Sequence, residues 1–308
     1  MVPTMREHVV IIGAGRIGTA VGRVLKKNGH QVMSWDVVPG RVKGQKLLEK
    51  IIPAATIIIL CVPSWATREC LLSFRDFLSS SAVILSFAKG VEALSGKTVD
   101  HMLAELLPSN SWGLVGGPMM AEEIEKGKGG VAVIATMQKK TFQRVVDACS
   151  SSSIRFEHST DTHGVAIAGV LKGLYAFCLG LVEGGGWGIN RRGWLAACAI
   201  QEMLRIGRGL DVPEETLLGP AGIGDFVATA FSPFSRSRSV GETVFRTGTC
   251  CPTSEATVSI APVIRMLGRR TKGYPVLTGI ARIIERPASA ASVLSAWLEL
   301  EPRMPPRG

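Results

Sequence analysis

The stretch that most constrains the fold lies near the start of the chain, where an apolar run at residues 9–12 (VVII) is followed at once by residues 13–18 (GAGRIG). A helical pattern follows this turn, and a second apolar run at residues 31–35 ends in Asp36. The first glycine permits the turn, the second lets the backbone approach a pyrophosphate, and the third lets the helix pack on the strand. The helix N-terminus attracts the negative charge of that group. The spacing predicts a dinucleotide-binding βαβ unit.

Two side chains of this unit bear on the cofactor. Asp36 is placed to accept hydrogen bonds from the ribose hydroxyls of a dinucleotide and to repel the extra phosphate of NADP, which favours NAD. Arg16, inside the glycine turn, could contact a phosphate, although an arginine solvated at the surface is the simpler interpretation. FAD-binding chains begin in the same way, so the turn alone leaves the identity of the dinucleotide open.

Further apolar runs predict that the sheet continues with strands at residues 57–61, 83–86, 114–115 and 131–135 and a last candidate at 153–158. Helical patterns lie between several of them, so the first half is predicted to be an α/β, doubly wound parallel sheet. Ligands collect at the carboxyl ends of strands in such sheets, where this chain has Pro63, Lys89 and Gly117. Lys89 is the cation among these strand ends, and a capping or surface lysine is the alternative to a ligand role.

The composition excludes several classes of protein. The 308 residues suffice for two domains, and 46% of them are hydrophobic against 19% charged, as in globular proteins. The net charge of +10 suits anionic small molecules, but the basic residues are dispersed and no nucleic-acid-binding motif accompanies them. Seven scattered cysteines, among them the adjacent pair Cys250-Cys251, predict free thiols in the cytoplasm and no metal site. The N-terminus lacks the apolar segment of a secretory signal.

A single charge, Lys172, stands in the otherwise uncharged residues 164–182. A membrane span is disfavoured because the segment is barely long enough and contains glycines besides the lysine. The pattern instead predicts a buried helix in an all-helical second domain, with domains at residues 1–160 and 161–308. Burial disfavours the charged ammonium and lowers its pKa towards the range of proton exchange. The alternatives to catalysis are a lysine that extends to the surface or one that pairs with a carboxylate.

A second group of polar residues follows in the segment 219–241. Asp225 comes after a glycine-rich turn, Thr229 lies one helical turn further, and Arg236 stands in a Ser-Arg-Ser-Arg loop. A carboxylate can hold a catalytic lysine in place, and an arginine flanked by serines can bind a phosphate in a bidentate manner. A helix-capping aspartate and solvated arginines are the simpler interpretation of each residue taken alone.

In combination these motifs resemble the NAD(P)-dependent glycerol-3-phosphate dehydrogenase family. The resemblance covers most of the chain, in the family's order, through the glycine turn, VPS (62–64), AKGVE (88–92), GGPMMAEEI (116–124), GVLKG (169–173), GWGIN (186–190), GIGD (222–225) and SPFSRSR (232–238). It implies an N-terminal Rossmann domain, a C-terminal helical domain and a site in the cleft between them. It also implies a cytoplasmic homodimer that acts in glycerophospholipid metabolism.

The resemblance further implies a reaction, the reversible reduction of dihydroxyacetone phosphate to sn-glycerol 3-phosphate. Lys172 corresponds to the lysine that protonates the ketone oxygen as hydride arrives from the nicotinamide, Asp225 orients it, and Lys89 binds the reacting oxygen. Thr229 supports the pocket, and Arg236 holds the substrate phosphate. Substrate contacts are expected from Lys89, Gly117, Lys172, Asp225, Thr229, Ser235, Arg236 and Ser237. Cofactor contacts are expected from Gly13, Gly15, Arg16, Ile17, Gly18, Asp36, Pro63, Lys89 and Arg236.

The chain departs from the family pattern around the substrate. Gly173 and Ser237 each stand where the family has asparagine, and Cys198 stands where an arginine is common. The segment between Asp36 and the third strand is shorter than in the family, and the pair Arg191-Arg192 is either surface charge or a replacement anchor for another anion. These differences indicate either an altered substrate or tolerated drift.

Three functions remain open at this point. The first is a dehydrogenase of glycerol 3-phosphate or of a related phosphorylated ketose or polyol. The second is a 2- or 3-hydroxyacid dehydrogenase, which shares the two-domain plan and a helix lysine, although GIGD and SPFSRSR count against it. The third is a catalytically silent NAD(H)-binding sensor, which the loss of asparagine at position 173 suggests. Retention of Lys172, Asp225 and Arg236 together argues against the sensor.

Overall fold

The computed structural model describes residues 6–249 and 254–300 and divides the chain into two compact units. The first unit ends at Lys89 and resumes from Lys97 to Ala166, whereas the second comprises Gly90–Gly96 and the chain from Ile167 onward. The sequence predicts a domain boundary near residue 160. The two units meet between Ala166 and Ile167, inside the helix that the sequence predicts for residues 164–182. The five described cysteines are free thiols. The Cys250-Cys251 pair lies outside the described residues.

The first unit is built on a seven-stranded sheet. Its strands are β1 (His8–Ile12), β2 (Gln31–Trp35), β3 (Ile57–Leu60), β4 (Val83–Ser86), β5 (Ser111–Gly116), β6 (Gly130–Ala135) and β7 (Ile154–Ser159). They lie in the order β2-β1-β3-β4-β5-β6-β7. Every predicted run therefore belongs to one sheet, as the sequence indicates.

Six helices accompany the sheet: α1 (Arg16–Lys27), α2 (Leu48–Ile51), α3 (Ser64–Leu72), α4 (Val99–Leu106), α5 (Ala121–Glu125) and α6 (Lys139–Ala148). β3 and β4 are buried along their whole length, as is β1 from Val9 onward. Strands covered on both faces need apolar residues at every position, which is why they stand out in the sequence as unbroken runs. Val21 and Leu25 of α1 belong to the same core cluster as Ile11 of β1, so α1 packs against the sheet beside the strand that precedes it.

The sheet differs from the prediction at one pair of strands. All neighbouring strands are parallel except β5 and β6, whose pairing is antiparallel, with Leu114 opposite Ala135. The chain turns back beside the end of β5. The N–H of Val131, at the start of β6, donates to the carbonyl of Pro118, just after β5, at 3.1 Å. Only the five-residue α5 lies between the two strands. Parallel neighbours instead need a crossover that carries the chain back to the start of the strand.

The described part of the second unit is helical. Its helices are α7 (Thr162–Gly184), α8 (Ile189–Gly209), α9 (Glu214–Leu218), α10 (Asp225–Phe231), α11 (Arg236–Thr247), α12 (Glu255–Leu267), α13 (Pro275–Glu285) and α14 (Ala290–Leu298), with a π-helical turn at Pro220–Gly224. In the described chain, α7 is long and apolar enough to span a membrane, but 94% of its most apolar window is buried inside the protein. It is the core helix that the sequence predicts, and from Ile167 onward it forms the centre of the second unit.

A buried carboxylate ties three of these helices together. Glu202 of α8, which is 1% exposed, accepts a hydrogen bond from the hydroxyl of Tyr175 in α7 at 2.8 Å. It also accepts from the backbone N–H groups of Val276 at 2.8 Å and Leu277 at 3.0 Å, both in the first turn of α13. Burial raises the pKa of Glu202, and its effect outweighs these hydrogen bonds, which lower the pKa.

We expect Glu202→Ala to lower the free energy of unfolding by at least about 3 kcal/mol, because three buried donors lose their acceptor at about 1–3 kcal/mol each. Glu202→Gln retains one carbonyl acceptor and loses less.

Since the pKa of Glu202 is higher in the folded state, that state binds the proton more tightly. Wild-type stability therefore falls as pH rises from 4.5 through the folded pKa, and Glu202→Gln lacks this decline. Urea unfolding across pH measures both effects, and an unchanged midpoint in Glu202→Ala would contradict the assigned role.

Candidate active site

Lys172 lies in the middle of α7 with its ammonium group held by two partners. Its Nζ donates to Oδ1 of Asp225 at 3.1 Å and to Oγ1 of Thr229 at 2.9 Å. The Thr229 hydroxyl lies 3.2 Å from the same carboxylate oxygen and donates to it. The side chain of Lys172 is 13% exposed and that of Asp225 is 2% exposed. The sequence-predicted group of lysine, aspartate and threonine is therefore one hydrogen-bonded cluster.

The local sequence explains how this cluster forms. The π-helical turn Pro220–Gly224 leads directly into α10, so Asp225 occupies the first position of that helix. Thr229 follows four residues later and therefore lies on the same helix face. Around Lys172, the neighbouring turns of α7 contribute the buried side chains of Ala168 and Leu179. The largely buried ammonium is paired with the carboxylate of Asp225, which is the condition for burying a charge.

The two arginines of the Ser-Arg-Ser-Arg segment have different environments. Arg236 is exposed at the first position of α11, where the helix N-terminus favours a bound anion. Arg238 is instead engaged by the carboxylates of Glu183 and Glu242. Ser235 is buried, and its hydroxyl accepts a hydrogen bond from the N–H of Arg238 as the cap of α11. The structure therefore gives Ser235, which the sequence predicts as a substrate contact, a capping role.

The two positions where the family resemblance predicts asparagine lie close together. A Cβ atom built on Gly173 would meet only Oγ of Ser237 nearby, at 3.9 Å. Gly173 follows Lys172 in α7, and Ser237 follows Arg236 in α11. A Cβ at position 173 would therefore fit in ordinary van der Waals contact with the serine.

The other departures have structural partners. Arg192 makes an ion pair with Glu183 at 3.5 Å and lies over the ring of Phe231, so it belongs to the network around Arg238. Its neighbour Arg191 lies over the ring of Trp187. Cys198 is buried in α8, and burial raises the pKa of its thiol, which keeps the thiol protonated. In the described residues, these contacts are with other side chains of the protein and do not form an anion-binding site.

In the first unit, the glycine turn allows two close backbone approaches. Gly13 adopts a φ of 99°, and a Cβ there would lie 2.6 Å from the carbonyl oxygen of Cys61 at the end of β3. A Cβ on Gly18 would lie 2.0 Å from the carbonyl oxygen of Gly13. Only glycine fits at either position, and Gly15 lies directly before α1 as its cap. Arg16 makes an exposed ion pair with Glu122 of α5, while Ile17, the next residue of α1, packs against the core of the first unit.

Asp36 is the centre of a small polar network. It is 4% exposed, and its carboxylate accepts from the N–H of Ala14 at 2.8 Å and of Val38 at 2.9 Å. Nη1 of Arg41 lies 3.1 Å from both carboxylate oxygens. Burial raises the pKa of Asp36, but the hydrogen bonds from Val38, Ala14 and Arg41 outweigh it and hold the pKa below its usual value. Sequence reasoning missed Arg41, although its place five residues after Asp36 in a short loop was visible.

Strand ends of the first unit bring further predicted residues together. Nζ of Lys89, three residues after β4, donates to the carbonyl oxygen of Gly117 at 3.2 Å. Gly117 itself follows β5, and Pro63 lies at the start of α3 just after β3. The three residues thus follow three neighbouring parallel strands, where ligands of this fold bind.

The chain is similar to known proteins across both units. The model of the NAD-dependent glycerol-3-phosphate dehydrogenase N-terminus matches residues 36–142, and that of the C-terminus matches residues 161–295. The NAD(P)+ glycerol-3-phosphate dehydrogenase of Clostridium tetani is 31% identical over 76% of this chain and 74% of its own length. That of Pseudomonas syringae pv. tomato is 28% identical over 97% and 96%.

Solved structures share the fold. The crystal structure of glycerol-3-phosphate dehydrogenase from Coxiella burnetii matches with a TM-score of 0.87 at 21% identity, covering 96% of this chain and 99% of that one. A ketopantoate reductase from Ralstonia eutropha matches with a TM-score of 0.56 at 19% identity over 94% and 99%. The 3-hydroxyisobutyrate dehydrogenase of Mycobacterium tuberculosis reaches 0.51 at 12% identity over 94% and 99%. These structures establish the predicted order of a Rossmann-like domain and a helical domain.

We expect Lys172→Met to lower the free energy of unfolding by about 3–5 kcal/mol, because it leaves the buried carboxylate of Asp225 without its ammonium partner. Asp225→Asn has a comparable effect on the lysine. The double variant should regain stability relative to the sum of the single losses, with a coupling above about 1 kcal/mol. Urea unfolding measures this cycle, with Arg236→Met as an exposed control that changes little. Strictly additive losses would show that the two groups do not support each other.

Proposed function

Because the chain belongs to the NAD-dependent glycerol-3-phosphate dehydrogenase family, as its motifs predict, we propose that it catalyses the reversible reduction of dihydroxyacetone phosphate to sn-glycerol 3-phosphate. The observation that carries this proposal is the ammonium of Lys172, held by Asp225 and Thr229 in the otherwise uncharged middle of α7. A buried, oriented ammonium suits a proton donor for a ketone oxygen. Its relatives in Clostridium and Pseudomonas bear the name of the same dehydrogenase.

Lys172 supplies the proton in the proposed reaction. When bound, the reduced nicotinamide supplies the hydride to the carbonyl carbon. Nζ of Lys172 gives a proton to the carbonyl oxygen as its negative charge develops, and the neutral amine takes the proton back in the reverse direction. Asp225 and Thr229 fix the direction of Nζ and, with Asp225 carrying the opposite charge, offset the cost of its burial. Lys89 is assigned to the reacting oxygen end of the substrate and Gly117 to its lining.

A phosphate of the substrate is assigned to the start of α11. Arg236 is exposed there, and its guanidinium can bind two phosphate oxygens at once while the helix N-terminus adds favourable charge. Ser237 adds a hydroxyl from the same turn. The net charge of +10 favours anionic substrates in general. The capping role of Ser235 supports an indirect part for that residue, which shapes the turn.

The glycine turn fits a dinucleotide, because side chains at Gly13 and Gly18 would collide with backbone atoms that form the turn. Relatives are named for NAD(P)+, and we assign NAD as the preferred cofactor of this chain because Asp36 stays ionised beside the turn. Arg16, Ile17 and Pro63 border the same region. Arg41 neutralises part of the charge of Asp36, so discrimination against NADP is reduced rather than complete.

We expect NADH to be used with a higher kcat/KM than NADPH, and Arg41→Ala to widen this ratio by about tenfold, equivalent to about 1.4 kcal/mol. Removing the guanidinium takes away the cation that would attract the additional phosphate and exposes that phosphate to the charge of Asp36. Steady-state kinetics with both cofactors measures the ratio, with Arg23→Ala in α1 as the control arginine. A preference for NADPH in the wild-type protein would overturn the assignment.

A larger phosphorylated ketose is a second candidate substrate, because Gly173 has no side chain where the family resemblance predicts asparagine. A Cβ there would meet Ser237 Oγ at 3.9 Å, so the asparagine side chain that is missing would have pointed towards the start of α11. The family also supports a cytoplasmic homodimer that supplies glycerophospholipid synthesis. Light scattering of the purified full chain tests the dimer directly, and a monomer mass would rule it out.

The decisive experiment is oxidation of NADH with dihydroxyacetone phosphate, a panel of phosphorylated ketoses and their unphosphorylated forms. We expect Lys172→Met to lower kcat by about 10²–10⁴-fold with NADH binding unchanged, because general acid catalysis contributes that much. Arg236→Met should mainly raise the KM for the phosphorylated substrate, while Arg191→Met, which lies over Trp187, leaves both constants unchanged.

Each outcome of this assay selects one function. Turnover of dihydroxyacetone phosphate that depends on Lys172 supports the main proposal, and turnover of another phosphorylated ketose alone supports the second candidate. Turnover of 2- or 3-hydroxyacids would restore the hydroxyacid alternative. NADH binding without turnover of any ketone would indicate a sensor.

A further inference from the structure

Three potential metal ligands that are distant in the sequence meet in the first unit. Asp100 and His101 lie in the first turn of α4, and His163 lies in the first turn of α7. One ligand atom of each residue lies within 4.8 Å of the other two. Oδ2 of Asp100 is 3.1 Å from Nδ1 of His163 and 3.9 Å from Nε2 of His101. Two ligands of a tetrahedral zinc ion are about 3.3 Å apart, so these distances bracket the required spacing.

The carboxylate of Asp100 is the unusual member of this cluster. The residue is 4% exposed, and no donor in the described chain hydrogen-bonds to its buried Oδ1. Its other oxygen, Oδ2, faces the two histidines. A buried carboxylate oxygen without a donor is costly, and a cation bound to this carboxylate would offset that cost.

The surroundings also orient the histidines. Oγ1 of Thr98 lies 2.9 Å from Nδ1 of His101, which leaves Nε2 on the side of Asp100. Metal-binding histidines commonly use their second ring nitrogen in this way. The two imidazole rings lie 5.0 Å apart, and the side chains of His101 and His163 are 56% and 35% exposed. An ion can therefore reach the group from solvent.

We propose that Asp100, His101 and His163 bind a divalent transition-metal ion, with zinc the ion to test first and water completing its coordination. Two imidazoles and a carboxylate suit zinc, cobalt or copper better than magnesium or calcium, which prefer oxygen ligands. The bound ion would link the first turn of α7 to the first turn of α4. This site is independent of the proposed dehydrogenase reaction, because none of its ligands is assigned to substrate or cofactor.

Isothermal titration calorimetry of the untagged, chelator-treated full chain with Zn²⁺ tests the site, and the absorption spectrum of the Co²⁺-loaded protein reports nitrogen and oxygen ligation. We expect one high-affinity ion per chain. His101→Gln and His163→Gln each weaken its binding by at least tenfold. His158→Gln is the matched control in the same unit, because His158 pairs with the backbone carbonyl of Thr136 outside the cluster. Its affinity stays at the wild-type value.

Two further samples keep the result interpretable. Cys250→Ser/Cys251→Ser removes adjacent thiols that can bind zinc, and the high-affinity ion persists in this variant. Thermal unfolding without metal establishes that each histidine variant is folded. His101 is the safest test, because its side chain is more than half exposed. Absence of stoichiometric binding in the wild-type chain, or equal binding in both cluster variants and the control, overturns the proposal and leaves His163 and Asp100 as an ion pair only.

Discussion

The second unit depends on one constraint: polar groups on its core helix must find partners, because apolar side chains surround α7. The ammonium of Lys172 meets Asp225 at the start of α10, and the hydroxyl of Tyr175 meets Glu202 of α8. Glu202 also receives the first N–H groups of α13. Apolar burial drives these helices together but has no direction. The two carboxylates supply the direction, since each can satisfy its donors only in one arrangement of the helices.

The same constraint joins stability to chemistry. Burying two charges carries a desolvation cost that neutral side chains do not have. Replacing Lys172 and Asp225 together by neutral groups of similar shape therefore need not destabilise the fold. The pair therefore adds little net stability beyond that of a matched neutral pair, although it helps to set the arrangement of the helices. In the proposed reaction, the pair instead supplies an ammonium whose position and charge are fixed in a water-poor environment, where electrostatic interactions with a developing oxyanion are strong. Under this proposal, the central charge of α7 has a chemical purpose that packing alone does not provide.

The sequence predicted features that depend on local pattern and missed those that depend on contacts between distant residues. Strands buried on both faces were evident as apolar runs, and the glycine turn required its residues for reasons of backbone space. The antiparallel β5–β6 pair was not evident, because apolar content does not reveal strand direction. The hydroxyl of Ser235 caps α11, and the guanidinium of Arg238 belongs to an ion-pair network. The spacing of residues in the sequence does not reveal either contact. Asp100 and His163 meet only because their helices begin side by side.

Asp36 shows why a residue can be predicted correctly in kind and still be incompletely understood. The side-chain amide of Gln45 bonds the N–H of Asp36 at 2.8 Å and its carbonyl at 3.0 Å, so the short loop after β2 closes back on the aspartate. The carboxylate meanwhile holds the N–H of Ala14 in the glycine turn. One residue thus anchors both the loop and the turn. A substitution at Asp36 would alter the shape of the turn together with its charge, whereas Arg41 contributes charge from the exposed side of the loop. Cofactor preference in this chain is therefore better separated from folding at Arg41 than at Asp36.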